Sequence, residues 1–371
     1  MRTPGLPHIP RLNYEKNSYL CIGKSNLNAK VRYIGSKRLL VDFIGEAIAA
    51  HAPDVRSVSD VFAGSGVVSG YLLNNGYDTI SNDILYFSYV LSRGTHGIHG
   101  KPRFEKLGIK DPVEYLNNLK AEDCPFSPTE FFITNNYSPS DTCSRMYFQP
   151  KNAVKIDIIR LTIEQWKRRD LINDDEYYYL LAALLHAIPY VANITGVYAA
   201  YLKHWDKRTY NDLTLTHHSI IEEERNCTCY NQDYRDIIQL PADMLYADPP
   251  YNERDYSPNY HILETIARYD YPQISGVTGL RPYSEIKSPF CSKRTVTEAF
   301  ENLISGANAR HIMISYNNES LLPSATLEEL CRAYAAEDSF KLLTRPYRRY
   351  KNKIPNNSVG LEEELFLFVK K

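Results

Sequence analysis

Residues 55–84 have the sequence VRSVSDVFAGSGVVSGYLLNNGYDTISNDI, which carries the clearest fold signal in this chain of 371 residues. SVSDVF predicts a strand, AGSG a glycine turn, VVSGYLLNNG a helix that stops at Gly76, and DTISND a second strand. Together they form one βαβ unit. Because such units have a right-handed crossover, we expect the glycine turn at the carboxyl edge of a parallel sheet, where open α/β folds bind their ligands.

The alternation of strands and helices stops after residue 83 and resumes near residue 230. Between them lie proline- and serine-rich loops and two helical patterns, NAVKIDIIRLTIEQWKRR (152–169) and DDEYYYLLAALLHAI (174–188). Later strands are predicted for MLYA (244–247), HIMISYNN (311–318), FKLLTRPYRRY (340–350) and EELFLFV (363–369). The sequence therefore predicts an α/β fold. Residues 1–83 and 230–371 form its sheet domain, and residues 84–229 form an inserted, mainly helical lobe.

Charge gives no whole-chain indication of a nucleic-acid partner, because the net charge is −1 and the pI is about 6.8. Local stretches differ: residues 23–38 and 341–353 contain several basic residues and no acidic one. Within the insert, basic residues occur at Lys155, Arg160, Arg168, Lys203 and Arg208. Separate basic stretches in a neutral chain indicate a polarised surface, which a phosphate backbone would match.

The cysteines and histidines form no metal-binding pattern. The seven cysteines are an odd number, and CTC at 227–229 is the one close pair, which argues against a disulfide framework. His96 and His99 lie in a glycine-rich stretch without a third nearby ligand, so we interpret them as loop residues. No signal-peptide pattern or membrane-spanning apolar run is evident, and we expect a cytoplasmic protein without a membrane partner.

The tetrapeptide DPPY (248–251) follows the apolar strand MLYA and suits chemistry on the exocyclic amine of a nucleic-acid base. A turn alone would also explain the prolines. The lone pair of such an amine is delocalised into the ring, so its N–H groups need acceptors before the nitrogen becomes nucleophilic. Asp248 and the backbone carbonyl of Pro249 would supply them. The ring of Tyr251 would stack on the base, which first has to leave the duplex.

The glycine turn FAGSG (62–66) and Asp83 together favour a nucleoside-type cofactor. Gly64 and Gly66 let backbone amides approach a ligand closely, and the helix that follows presents the positive end of its dipole. The turn lacks the GxGxxG spacing of dinucleotide sites, and on its own a glycine turn without a ligand is an equal alternative. Asp83 ends the next strand, where ribose hydroxyls often need an acid.

The order of the motifs along the chain resembles that of DNA adenine-N6 methyltransferases of the Dam-like α group, the kind found in restriction–modification systems. That group carries a Y/W-x-G-x-K segment, FxGxG, a strand-end acid, a recognition insertion and DPPY. The chain has YIGSK (33–37), FAGSG (62–66), SND (81–83), the insert and DPPY, and NQDYRD (231–236) resembles the acidic segment before DPPY. The likeness covers roughly residues 30–83 and 230–369.

The resemblance implies a Rossmann-like methyltransferase sheet that uses S-adenosylmethionine, with the insert recognising a site in double-stranded DNA. It also implies a cognate restriction endonuclease as a partner and no metal, and we expect a monomer. The implied cofactor-binding residues are Tyr33, Lys37, Phe62, Gly64, Gly66, Asp83, Asp233 and Asp248. The implied catalytic residues are Asp248, Pro249, Pro250 and Tyr251.

Other acceptors of the methyl group fit this motif less well. N4-cytosine enzymes usually have serine, and protein-glutamine methyltransferases asparagine, where this chain has Asp248. An adenine in RNA stays open as a substrate. A nucleic-acid-binding protein without catalytic activity is a further alternative, against which the intact glycine turn argues.

Overall fold

The computed structural model describes residues 33, 35–220, 226–253, 255–346 and 362–371. Over these residues the centre of the fold is a seven-stranded sheet in the order β3-β2-β1-β4-β5-β7-β6. The strands from β3 to β5 in this order are parallel to one another, and β7 is antiparallel to both β5 and β6. The strands are β1 (Ser57–Asp60), β2 (Asp78–Asn82), β3 (Cys227–Tyr230), β4 (Ala242–Ala247), β5 (Ala309–Asn317), β6 (Lys341–Pro346) and β7 (Glu362–Val369).

The helices occupy the connections between strands and most of the predicted insert. They are α1 (Val41–His51), α2 (Val67–Asn74), α3 (Tyr86–Thr95), α4 (Pro112–Asn118), α5 (Phe132–Tyr137), α6 (Pro150–Arg168), α7 (Asp174–Ala187), α8 (Tyr234–Ile237), α9 (Ser257–Arg268), α10 (Val296–Gly306) and α11 (Ser324–Tyr334). The acidic start of α7 is closed by a capping box between Asn173 and Glu176, in which each side chain accepts a backbone N–H of the other residue.

The predicted βαβ unit is confirmed as β1, α2 and β2, and the strands predicted at MLYA, HIMISYNN and EELFLFV are β4, β5 and β7. The strand predicted for 340–350 is β6 up to Pro346, and the rest of that prediction lies outside the described residues. The edge strand β3 was not predicted. It pairs with β2, so the expected lobe boundary at residue 229 falls inside the sheet.

Helices cover both faces of the sheet, as strand β4 illustrates. Met244 and Tyr246 lie in the core shared with α1 and α2, while Leu245 and Ala247 lie in the core shared with α8 and α10. Side chains alternate between the faces of a strand, so a run of apolar residues such as MLYA marks a strand buried on both sides. This burial fixes the end of β4, and with it the position of the segment that follows.

The helices of the insert share one hydrophobic core with α9, which follows DPPY in the sequence. Phe87 of α3, Ile159 of α6 and Leu184 of α7 are fully buried in this core together with Tyr260 and Ile266 of α9. The backbone amides of Tyr86 and Phe87 donate to the carboxylate of Glu264 in α9, at 3.1 and 2.9 Å. The helical part is therefore packed against the segment that continues from the predicted catalytic loop.

Two basic residues of the insert stabilise the fold instead of facing solvent. Arg160 is 2% exposed, and its guanidinium donates to the carbonyls of Ile266 and Ala267, each at 3.1 Å. Lys155 donates to the carbonyls of Asn117 and Leu119, at 2.8 and 2.6 Å. The interpretation of these two residues as part of a phosphate-binding surface is wrong, because their charges are used to satisfy backbone acceptors. Among the described ranges, no helix has the length and apolarity needed to cross a membrane.

Candidate active site

Three strand ends meet at one edge of the sheet and build the site. β1 lies between β2 and β4, and all three are parallel. The glycine turn that follows β1 is therefore flanked by Asp83, after β2, and by Asp248, after β4. The start of the antiparallel β7 reaches the same edge, because Glu363 pairs with Asn317 at the end of β5.

Glycine is required at two positions of the turn. Gly64 and Gly66 have φ values of +55° and +73°, which side-chain-bearing residues rarely adopt. A Cβ on Gly64 would also lie 2.8 Å from the ring of Tyr33. That ring stacks on Tyr260 with a centroid separation of 4.8 Å. The bare backbone of the turn thus lies against an aromatic surface.

Asp83, directly after β2, holds the glycine turn in place through hydrogen bonds. Its Oδ2 accepts the backbone N–H of Gly64 and its Oδ1 that of Leu85, each at 2.8 Å. Burial raises the pKa of the Asp83 carboxyl to about 7, although the amides of Leu85 and Gly64 lower it. Asp83 also lines the cleft in front of the turn.

Lys37 reaches Asp248 from the turn before α1. Its Nζ forms ion pairs with Oδ1 of Asp248 at 3.0 Å and with Oε1 of Glu363 at 2.6 Å. It also donates to the hydroxyl of Tyr251 at 3.1 Å. The Lys37 side chain is only 3% exposed. Burial opposes its charge, but Asp248, Tyr251 and Glu363 outweigh burial and hold the pKa of the ammonium above its usual value.

The Asp248 carboxyl lies in a crowded, largely dry environment. Burial raises its pKa above the usual value, Lys37 opposes this rise, and the nearby carboxylates of Glu363 and Asp60 add to it. Asp60, the last residue of β1, is itself buried, and burial raises its pKa to about 7 despite a hydrogen bond of 2.7 Å from the Ser69 hydroxyl. Perturbed carboxyl groups at a cleft are typical of functional sites.

Most of the residues implied by the sequence line one cleft, whose empty volume of about 1070 Å³ includes open solvent. Those that line it are Tyr33, Lys37, Phe62, Gly64, Asp83, Asp233, Asp248 and Pro250. Gly66 lies at the N-terminus of α2, and Pro249 is buried. Tyr251 joins the cluster through Lys37, and its ring packs edge-on against Tyr316.

Asp233 has structural partners of its own. It precedes α8, accepts the backbone N–H of Arg235 at 2.9 Å, and forms a two-point ion pair with the Arg235 guanidinium at 2.8 Å for each contact. The hydrogen bond from the Arg235 side chain lowers its pKa, so the carboxylate stays ionised at the mouth of the cleft.

Sequence reasoning missed Asp60 and Glu363. Asp60 was part of the strand predicted for SVSDVF, and its place near the end of that buried strand was the available signal. Glu363 had a weaker signal: it is one of three consecutive glutamates at the start of an apolar strand. Its contact with Lys37 depends on the antiparallel placement of β7, which no local pattern indicates. No cluster that could hold a metal ion occurs within the described part of the chain.

An α/β sheet with a glycine turn, a strand-end acid and a DPPY loop at one edge defines a Rossmann-like methyltransferase. The chain belongs to the D12 class N6 adenine-specific DNA methyltransferase family, whose model matches residues 33–330. The resemblance found in the sequence motifs is thereby confirmed.

The chain is also similar to proteins named as type II methyltransferases and modification methylases. The chain is 45% identical over 345 residues to the type II methyltransferase M.FokI of Planomicrobium okeanokoites, covering 92% of this chain and 53% of that protein. It is 38% identical over 346 residues to the modification methylase StsI of Streptococcus sanguinis, covering 92% and 52%. It is 37% identical over 325 residues to the type II methyltransferase M.NlaIII of Neisseria lactamica, covering 86% and 92%. The chain thus spans about half the length of the first two relatives and nearly the whole of the third.

Proposed function

We propose that this chain transfers a methyl group from S-adenosylmethionine to the N6 amine of an adenine in DNA, as the site-specific modification enzyme of a type II restriction–modification system. The observation that carries the proposal is the placement of Asp248. Its carboxylate sits at the end of β4, paired with Lys37, in the cleft that also exposes the glycine turn and Asp83. Amine chemistry and nucleoside binding therefore share one cleft.

S-adenosylmethionine fits the chemistry of this cleft. A nucleoside with a cationic tail needs apolar surface for its base, acceptors for its hydroxyls and negative charge for its cation. The cleft has the rings of Tyr33 and Phe62 and several carboxylates. Oδ1 of Asp60 is buried there without a hydrogen-bond partner among the described residues. This oxygen can therefore accept a hydrogen bond from a bound ligand. When bound, the cofactor supplies an electrophilic methyl group.

We assign cofactor binding to the residues that line or shape this half of the cleft. The Asp83 carboxylate accepts ribose hydroxyls while it also holds the turn. Asp233, after the neighbouring strand β3, meets the adenine of the cofactor. The full set is Tyr33, Lys37, Phe62, Gly64, Gly66, Asp83, Asp233 and Asp248.

The DPPY loop prepares the target amine. The Asp248 carboxylate and the Pro249 carbonyl accept the two N–H hydrogens, which shifts electron density onto the nitrogen. Pro249 and Pro250 fix the backbone of the loop, because their rings restrict φ. The Tyr251 ring stacks on the flipped adenine. Asp248, where N4-cytosine enzymes usually have serine, favours adenine as the acceptor.

We propose that the insert, residues 84–229, reads the DNA sequence. Lys203 and Arg168 are exposed there, unlike Arg160, although Arg168 also pairs with Glu164 at 3.1 Å. Phosphate contacts position a duplex, whereas base-edge contacts specify its sequence. As partners we propose double-stranded DNA and a cognate restriction endonuclease that acts on the same site. We further propose that the enzyme acts as a monomer in the cytoplasm.

The test is direct methylation of DNA by the purified chain. The protein is incubated with methyl-labelled S-adenosylmethionine and DNA, and the product bases are identified by mass spectrometry. Methylation-sensitive sequencing of DNA from cells that express the chain then gives the target site. We expect N6-methyladenine at one short sequence. N4-methylcytosine, or methylation confined to RNA, would overturn the proposal.

A further inference from the structure

Glu363 is the second residue of β7 and lies far from Lys37 in the sequence. Its side chain is 4% exposed. Oε1 accepts the hydroxyl of Ser315 in β5 at 2.6 Å and lies 2.6 Å from Nζ of Lys37. A buried carboxylate is costly unless it is paired and hydrogen-bonded, and here both conditions are met. The strand thereby presents a fixed negative charge to one ammonium group.

Lys37 connects this charge to the reaction centre. Three side-chain oxygens lie within 3.1 Å of Nζ, one each from Glu363, Asp248 and Tyr251. A lysine side chain has a flexible four-carbon stem, so its head group needs such contacts to stay in one place. Without Glu363, the ammonium would be free to move toward Asp248 or out into the cleft.

The neighbouring Glu364 provides an internal comparison. It is also buried, at 7% exposure, and its Oε2 also accepts a serine hydroxyl at 2.6 Å, that of Ser324. Because side chains alternate along a strand, Glu364 points to the opposite face of β7 from Glu363. The two residues match in chemistry, strand and burial. Only Glu363 contacts Lys37.

We propose that Glu363 is a positioning residue: paired with Lys37 and anchored by Ser315, it holds the ammonium where it orients the Asp248 carboxylate and the Tyr251 hydroxyl. This inference rests on the proposed methyl transfer to an amine. Glu363 touches neither substrate nor cofactor in this scheme and acts through Lys37.

The first experiment compares Glu363→Gln with Glu364→Gln in steady-state methylation of DNA. Gln keeps the size of the side chain and an acceptor for Ser315, but removes the charge that holds Lys37. We expect Glu363→Gln to lower kcat by about tenfold or more, in the range seen when one preorganised polar contact is lost. The KM for S-adenosylmethionine should stay within about twofold of the wild type. Glu364→Gln should change neither parameter.

Equal kinetics for the two variants would overturn the inference, and so would a loss confined to the KM for the cofactor. Thermal unfolding checks that both variants are folded. If Glu363→Gln does not fold, Ser315→Ala takes its place, since it keeps the charge and removes the hydroxyl that anchors it. A kcat equal to that of the wild type for this variant would then count against the inference.

The second experiment needs neither DNA nor cofactor, and so separates this inference from the proposed function. Aspartate carboxyl carbons are labelled with ¹³C, and the Asp248 signal is identified by its absence in Asp248→Asn. The titratable groups that face Asp248 are Lys37, Glu363, Asp60, Tyr246, Tyr251 and Tyr256. We expect the NMR titration of Asp248 to move to lower pH in Glu363→Gln, because a like charge is removed and Lys37 is left with Asp248 as its one carboxylate partner among the described residues. It should stay in place in Glu364→Gln.

An unchanged titration in Glu363→Gln would overturn the inference even if the chain methylates adenine. A shifted titration in a chain that methylates no DNA would instead refute the proposed function and leave the Lys37–Glu363 contact as the cause of the shift.

Discussion

The backbone N–H of Gly64 donates to Oδ2 of Asp83 at 2.8 Å, which joins the turn after β1 to the residue after β2. The second oxygen accepts from Leu85. The Asp83 carboxylate, which we propose binds the cofactor, thus also holds the glycine turn in place. A substitution at Asp83 is therefore expected to alter the shape of the turn as well as the proposed contact with ribose.

Asp83→Asn should weaken binding of S-adenosylmethionine by about tenfold or more, because charge-assisted hydrogen bonds contribute about twice as much as neutral ones. DNA affinity should change little. Calorimetric titration with the cofactor measures the effect. Asp78→Asn is a suitable control, since Asp78 begins the same strand and accepts the backbone N–H of Asn226 away from the cleft. An unchanged cofactor affinity in Asp83→Asn would remove the residue from the site.

Asp248→Asn and Asp248→Ala should lower the methylation rate by about a hundredfold or more while the protein stays folded, because a preorganised acceptor for the target amine is lost. Lys37 keeps Glu363 as a counter-charge in both variants. Single-turnover assays and circular dichroism measure rate and folding. Asp243→Asn serves as the control: this residue of β4 accepts the amides of Arg56 and Ser57, so its loss should affect stability and leave the rate intact.

Tyr251→Phe should keep far more activity than Tyr251→Ala. Phe retains the ring for stacking and loses only the hydrogen bond from Lys37, worth about 1 kcal/mol. Ala loses the stacking as well, worth about 1–3 kcal/mol more. Comparison of kcat for the two variants decides the matter. Equal losses would assign the function of Tyr251 to its hydroxyl and not to its ring.

Local patterns were sufficient to predict the elements that carry the site. The turn residues, the apolar run before Asp248 and the ordered motifs gave β1, α2, β2 and β4. The edge strand β3 was missed because CTCY is short and half-polar. The position of β7 between β5 and β6 depends on contacts distant in sequence, and the contact between Glu363 and Lys37 depends on it.

The sequence also did not indicate which basic residues are buried. Lys155 and Arg160 occur in a helical stretch rich in basic residues, yet their charged groups donate to backbone carbonyls. Only the tertiary structure supplies those acceptors, because they belong to the ends of other helices.

Arg160→Ala should destabilise the protein by about 3 kcal/mol or more, since it leaves buried acceptors without a donor. It should not alter the salt dependence of DNA binding. Lys203→Ala should leave stability unchanged, weaken binding to all DNA sequences alike and reduce the salt slope by about one unit. Chemical denaturation and binding titrations at several salt concentrations measure both. A salt slope altered by Arg160→Ala alone would reverse these two assignments.

Stability should fall as the pH rises from about 4 to about 7. The pKa of Asp60 is raised to about 7 by burial, so over this range the folded chain keeps a proton that the unfolded chain has lost. Above the folded pKa the loss is complete and the stability levels off. Asp60→Asn removes the titration, and its melting temperature relative to the wild type should be higher at pH 8 than at pH 5. A difference that does not change with pH would contradict this assignment.

The antiparallel placement of β7 has a consequence for the timing of synthesis. Lys37 leaves the ribosome early, whereas Glu363 emerges only after β5 and β6 have been made. Long-range pairings of this kind form late, after the intervening chain is available. A nascent or prematurely terminated chain that lacks β7 holds Lys37 without its second carboxylate. An active enzyme is therefore expected only after β7 has been synthesised. Fragments that lack β7 are expected not to methylate DNA.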